Sequence, residues 1–166
     1  MKKIIYCSLF LCFTQLSAQE YIKAAFLEKW ENSKKYLLEV VENMPEEHLN
    51  FKPTEKQDTF FEQLVHIKEN MDWLSNSYFN GPKIDASKAQ NKAEIIAELT
   101  KSFHNVYEVV AIYDSKQFNE NVDFFAGKKT KLQILNLLQD HVTHHRGQVI
   151  VYLGLNGVKP PRFVGW

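Results

Sequence analysis

The stretch Asp140–Val149, DHVTHHRGQV, holds three of the chain's six histidines. Imidazole nitrogens carry protons near neutral pH and are common metal ligands. On a helix each residue advances about 100°, so residues four apart stack on one face. His141 and His145 have that spacing. Such a pair can aim two imidazoles at one ion, as the two histidines of the HExxH zinc motif do. A third ligand must then come from elsewhere in the chain. The competing reading is one buried, hydrogen-bonded core histidine with the others on the surface. Two inward histidines one turn apart are costly to bury without a shared partner, and this favours metal.

The helix that must carry these residues runs from about Thr130 to Asn156. Leu135, Leu138, Val142, His145, Val149 and Tyr152 alternate steps of three and four, the inward seam of a bundle helix. His145 lies on the seam, His141 about 40° to one side, and His144 about 100° away. His141 and His145 therefore face inward together, with His144 on the flank. Arg146 points well away from that face and is expected in a structural salt bridge. Gln148, two turns from His141, is a candidate for orienting a substrate.

The chain has 166 residues, enough for one domain with a substantial core. Lys2 and Lys3 precede an apolar run from Ile4 to Phe13, then Leu16-Ser17-Ala18. That is the layout of a secretory signal peptide, too short for a permanent membrane anchor. Residues 1–18 are thus expected to be removed, leaving residues 19–166 as an exported domain in the periplasm or medium. Both cysteines, Cys7 and Cys12, fall in the leader, so the mature chain is expected to have no disulfide and no cysteine nucleophile. The 20 basic and 20 acidic residues balance, and loss of Lys2 and Lys3 moves the formal charge from zero to about −2. No basic stripe with interleaved aromatics points to nucleic acid.

A first helix is expected over about Glu20–Asn43, with Ile22, Phe26, Trp30, Leu37, Val40 and Val41 on its apolar face, ending at Met44-Pro45. A long connection to about Lys56 carries His48, with Leu49 and Phe51 as its pins. Thr59 and Glu62 form a capping box for the second helix, whose stripe is Phe60, Leu64, Ile67, Met71, Leu74 and Tyr78. His66 lies about 100° or more from that stripe, so periodicity leaves it either exposed or lining a cleft with Trp73. Asn80-Gly81-Pro82 stops the helix. A third helix, about Asn91–Tyr113, buries Leu99, Phe103, Val106, Val110 and Tyr113 and leaves His104 solvated. Asp114–Lys129 is a second long connection with Phe118, Phe124 and Phe125. Thr130 and Gln133 offer another capping box, and Asn156-Gly157 followed by Pro160-Pro161 ends the fourth helix. The pattern is all-α, a four-helix bundle with long first and third connections and no sheet.

With these segments in place, the sequence resembles the DinB-like (DinB/YfiT) family of metal-dependent four-helix-bundle proteins. Met44–Pro53, MPEEHLNFKP, is similar to the family's first connection. Phe61–His66, FEQLVH, is similar to the second-helix segment that contributes a histidine. His141–Gln148, HVTHHRGQ, followed by Gly157–Pro161, GVKPP, is similar to the fourth helix and its exit. The resemblance spans essentially the whole mature chain. It implies a metal, often zinc or nickel, held by three histidines, here His66, His141 and His145. His66 is assigned by the resemblance; the other two agree with the helical wheel. Three nitrogens leave a position for water or substrate, the pattern of a catalytic zinc site. Some members look like thiol-dependent transferases or isomerases.

Two functions follow. In the first the protein is a metal-dependent enzyme, transferase-like or hydrolase-like, acting on a small molecule that brings its own thiol where one is needed. Glu62, one turn before His66, is then a candidate base or outer partner of that imidazole, against a plain capping role. In the second it is a non-catalytic metal-binding or stress-related bundle, with a homodimer as one arrangement.

Overall fold

The structure is a computed structural model that describes residues 2–166, with side chains from Ala18 onward. Residues 1–17 of the expected leader therefore lie outside the described side chains. Helix α1 (Lys2–Asn43) starts earlier than the Glu20 expected. No glycine or proline interrupts Ile4–Gln19, so nothing local stops a helix there. Helices α2 (Phe60–Phe79), α3 (Lys92–Ile112) and α4 (Lys131–Leu155) complete an all-α four-helix bundle. Among the described residues, no helix is long and apolar enough to cross a membrane.

Each helix begins and ends where its local chemistry directs. Thr59 and Glu62 close a reciprocal capping box at the start of α2, and Thr130 and Gln133 do the same for α4. Asn91 caps α3 by accepting from the Glu94 N–H. At the end of α2, Asn80 adopts the left-handed conformation at φ 59° and Gly81 N donates to Ser75 O at 3.0 Å. A Cβ on Gly81 would lie 2.1 Å from Ser75 Oγ, so the close turn requires glycine.

α1 and α2 each pack between α3 and α4. Consecutive helices α1–α2 and α3–α4 are thus diagonal partners, which accounts for the two long connections between them. The first holds a single 3-10 turn (Glu46–His48), with Leu49 buried and Phe51 packed on the core. The second contains a 3-10 turn (Ser115–Asn119) and a small antiparallel ladder of β1 (Asn121–Val122) on β2 (Lys129–Thr130). This ladder corrects the expectation of no sheet. Gly127, at φ 89°, turns the hairpin, and Lys131 ties its base to Glu120 at 2.9 Å.

The expected seams form the core. Phe26, Trp30, Leu37, Val40 and Val41 of α1 are buried, whereas Ile22 is 39 % exposed. Trp30 is fully enclosed, and its indole N–H donates to Phe103 O at 3.0 Å. On α2 the buried stripe ends at Phe79 instead of Tyr78, because Phe79 stacks edge-on against Tyr113 of the α3 exit. A buried ion pair that hydrophobic periodicity does not announce joins Lys68 and Asp72 at 3.2 Å. Lys68 also donates to Asp85 O at 2.8 Å, tying the α2–α3 loop to α2.

Candidate metal centre

α2 and α4 run antiparallel, and their facing residues bring the histidines together. Tyr152 Oη donates to Asp58 O at 3.0 Å, Gln63 meets His145, and His66 meets His141. One ligand nitrogen each from His66, His141 and His145 fits within a set no more than 4.8 Å apart. Their ring centroids are separated by 4.4, 4.6 and 4.8 Å. His66 is exposed, while His141 and His145 are half-buried, so the cluster opens to solvent beside α2. A surface cavity of about 290 Å³ lies apart from the cluster, lined by Lys68, Asp72 and Trp73 among others.

His66 Nε2 stands 3.1 Å from His141 Nε2. Without an ion, one nitrogen donates and the other accepts. The same separation suits two ligands of one ion, since nitrogens ~2.1 Å from a tetrahedral metal stand ~3.4 Å apart. His145 Nδ1 lies 2.7 Å from Gln63 Oε1 and 2.8 Å from Gln148 Oε1. Both oxygens are acceptors, so Nδ1 carries the proton and the Nε2 lone pair is left for a ligand role. Gln148 Nε2 in turn donates to His144 Nε2 at 3.4 Å.

The electrostatics keep His141 and His145 neutral. Burial, then the neighbouring His145, His66 and His144, push His141 from 6.5 down to about 3. Burial, followed by His66, also lowers His145, against the opposing bond from Gln148. A metal requires imidazole in its neutral form, and these two rings hold it at pH 7. His141 Nδ1 is buried with no hydrogen-bond partner.

The remaining candidates have other roles. His144 is exposed and sits edge-on to His145 at 4.8 Å, outside the cluster. His48 is half-buried in the first connection, and His104 is exposed, 3.9 Å from Glu108. Glu62 Oε2 accepts the Thr59 N–H at 2.7 Å, and this cap lowers its pKa, so the carboxylate serves the helix terminus. Gln148 contacts His145 and His144 directly. Arg146 departs from the expected salt bridge. Its guanidinium lies 4.9 Å from the Tyr36 ring centroid, and it forms no ion pair among the described residues. The α1 side of α4 is aromatic at this level, so stacking replaces a carboxylate. Gln63 was not singled out by the sequence, although it sits three residues before His66 on the same face of α2.

This combination defines an all-α bundle protein whose three histidines, on two antiparallel helices, are placed to hold a metal ion. The chain belongs to the DinB family, whose sequence pattern matches residues 16–165. It is 28 % identical over 123 residues to the uncharacterized protein YjoA of Bacillus subtilis strain 168, covering 69 % of this chain and 78 % of that one. The crystal structure of the DinB-like protein YjoA from Bacillus subtilis superposes with a TM-score of 0.72 at 18 % identity, over 84 % of this chain and 96 % of that one. A DinB-like protein from Bacillus cereus ATCC 10987 gives a TM-score of 0.70 at 20 % identity, covering 83 % and 95 %. These likenesses carry the bundle fold.

Proposed function

We propose that the protein is an exported metalloprotein that binds one divalent ion, zinc or nickel, through His66, His141 and His145, and uses it as an enzyme on a small-molecule substrate. The observation that carries this reading is the convergence of three ligand nitrogens within 4.8 Å at a solvent-open seam, two of them on rings held neutral by burial. A divalent ion there supplies Lewis acidity toward a thiol or water of the reaction. The chain itself positions the ligands: Gln63 and Gln148 hold the His145 tautomer, and exposed His66 marks the side from which substrate approaches. Transfer to or from a substrate thiol and hydrolysis are the two reaction classes this donor set supports.

Metal content of the mature protein and its single variants tests the ligand set. His141→Ala, His145→Ala and His66→Ala each lose stoichiometric metal, whereas His144→Ala keeps it. Full affinity in His66→Ala would remove the third ligand, and equal loss in His144→Ala and His145→Ala would overturn the register of α4. A screen of thiol and ester substrates with loaded protein then tests catalysis. Protein recovered from the envelope or medium of its host is expected to begin after about Ala18; an intact Met1 there would end the export reading. The second reading, a non-catalytic metal-binding bundle, is favoured by one observation: the Glu62 carboxylate is committed to its helix cap. Tight metal binding with no turnover across the screen would select it.

A further inference from the structure

We infer that Asn70 is a positioning residue for His141, its Oδ1 accepting the His141 Nδ1–H when Nε2 ligates a metal; the inference rests on the three-histidine reading above. Two complementary groups are left over at this seam. His141 Nδ1 and Asn70 Oδ1 are both shut off from solvent, and neither has a hydrogen-bond partner. Buried polar groups are paired as a rule, and each unpaired one costs stability.

Their placement makes them partners. Gln63, His66 and Asn70 stand at i, i+3 and i+7, within about 60° of one another on α2. Gln63 and His66 show that this face packs on α4, through His145 and His141 respectively. The helices are antiparallel and His66 is level with His141, so one turn beyond His66 on α2 passes His141 toward the level of Leu137. Helical side chains also lean toward their own N-termini. Those of Asn70 and His141 therefore lean toward each other. Of the other unpaired buried groups, Asp72 faces Lys68 at 3.2 Å, and the Gln139 side chain bonds Ser33 of α1 through Nε2.

The chemistry sets the direction of the bond. Ligation through Nε2 places the ring's remaining proton on Nδ1, which becomes a buried donor. The amide oxygen of Asn70 is the unpaired buried acceptor on that face. Gln63 already performs this service for His145 at 2.7 Å. Asn70 would be its counterpart for the second ligand of α4, fixing the tautomer and the ring plane.

The test is zinc titration of the full mature protein in competition with a chromophoric chelator, combined with ¹⁵N-imidazole spectra of the zinc-loaded form. Asn70→Ala is expected to weaken zinc ~10–100-fold and to lose the exchange-protected His141 Nδ1–H resonance. Asn70→Asp, which keeps an acceptor oxygen, retains wild-type affinity or better and keeps that resonance. Helicity of each zinc-free variant separates this from a folding defect, and Asn70→Asp carries the test if Asn70→Ala does not fold. Unchanged zinc affinity in Asn70→Ala overturns the inference. So does equal loss in both variants with the Nδ1–H resonance intact, since Asn70 would then act through packing. A wild-type protein that binds no zinc overturns the three-histidine reading itself, which the variants alone would not.

Discussion

Gln63→Leu probes how the His145 ring is held. Its single Nδ1–H faces two amide oxygens, Gln63 Oε1 at 2.7 Å and Gln148 Oε1 at 2.8 Å. A proton shared between two acceptors gives each a partial bond. Gln63 is 5 % exposed, and leucine fills nearly the same slot without leaving a cavity. After Gln63→Leu, Gln148 takes the whole bond, so the expected loss is ~0.5–1 kcal/mol, or ~2–5-fold in zinc affinity. Gln148→Leu behaves alike for the same reason. The double variant leaves a half-buried N–H with no acceptor, and the loss rises to ~2–3 kcal/mol, or ~30–150-fold. The two sites are therefore coupled by about 1 kcal/mol. Chelator-competition titrations of the four proteins at pH 7.5 measure each corner of the cycle. Strictly additive losses would refute the shared proton. A Gln63→Leu loss as large as that of the double variant would show that Gln148 is not an acceptor at all.

Lys68 and Asp72 are 3 % and 7 % exposed, so removing one partner strands a buried charge. Asp72→Ala is expected to cost ~3 kcal/mol in urea unfolding, while Lys68→Met with Asp72→Leu stays within ~1 kcal/mol of wild type. A single variant as stable as wild type would contradict the burial of the pair. The metal-free protein should lose stability as pH falls below about 6.5, because the unfolded His141 takes up a proton there while the folded ring resists until about 3. His141→Gln flattens that acid limb, and an unchanged pH profile of unfolding in the variant would show that the ring is not held neutral.

Local rules made most of the bundle legible in the sequence. A cap such as Thr59 with Glu62, or Thr130 with Gln133, is decided by residues three apart, and a seam such as Leu135–Tyr152 by a fixed turn angle. The stop at Asn80-Gly81 is likewise a matter of backbone freedom at one position. His141 and His145 belong to the same class: their common face follows from one helix alone. His66 does not, since its angle from the α2 stripe was compatible with open solvent, and only the resemblance to the family named it as a ligand. Its place beside His141 depends on how α2 is rotated against α4. That rotation is set by the packing of Phe60, Leu64, Ile67 and Leu74 into the common core. The same rotation decided that Gln63 meets His145 and that Lys68 and Asp72 face inward as a pair. Arg146 found the Tyr36 ring, and not a carboxylate, because α1 is the helix beside it. A one-dimensional period records which residues share a face. Which face it meets across the seam is fixed only when four helices exclude water together, because that choice minimises exposed apolar surface for the whole bundle and for no single helix.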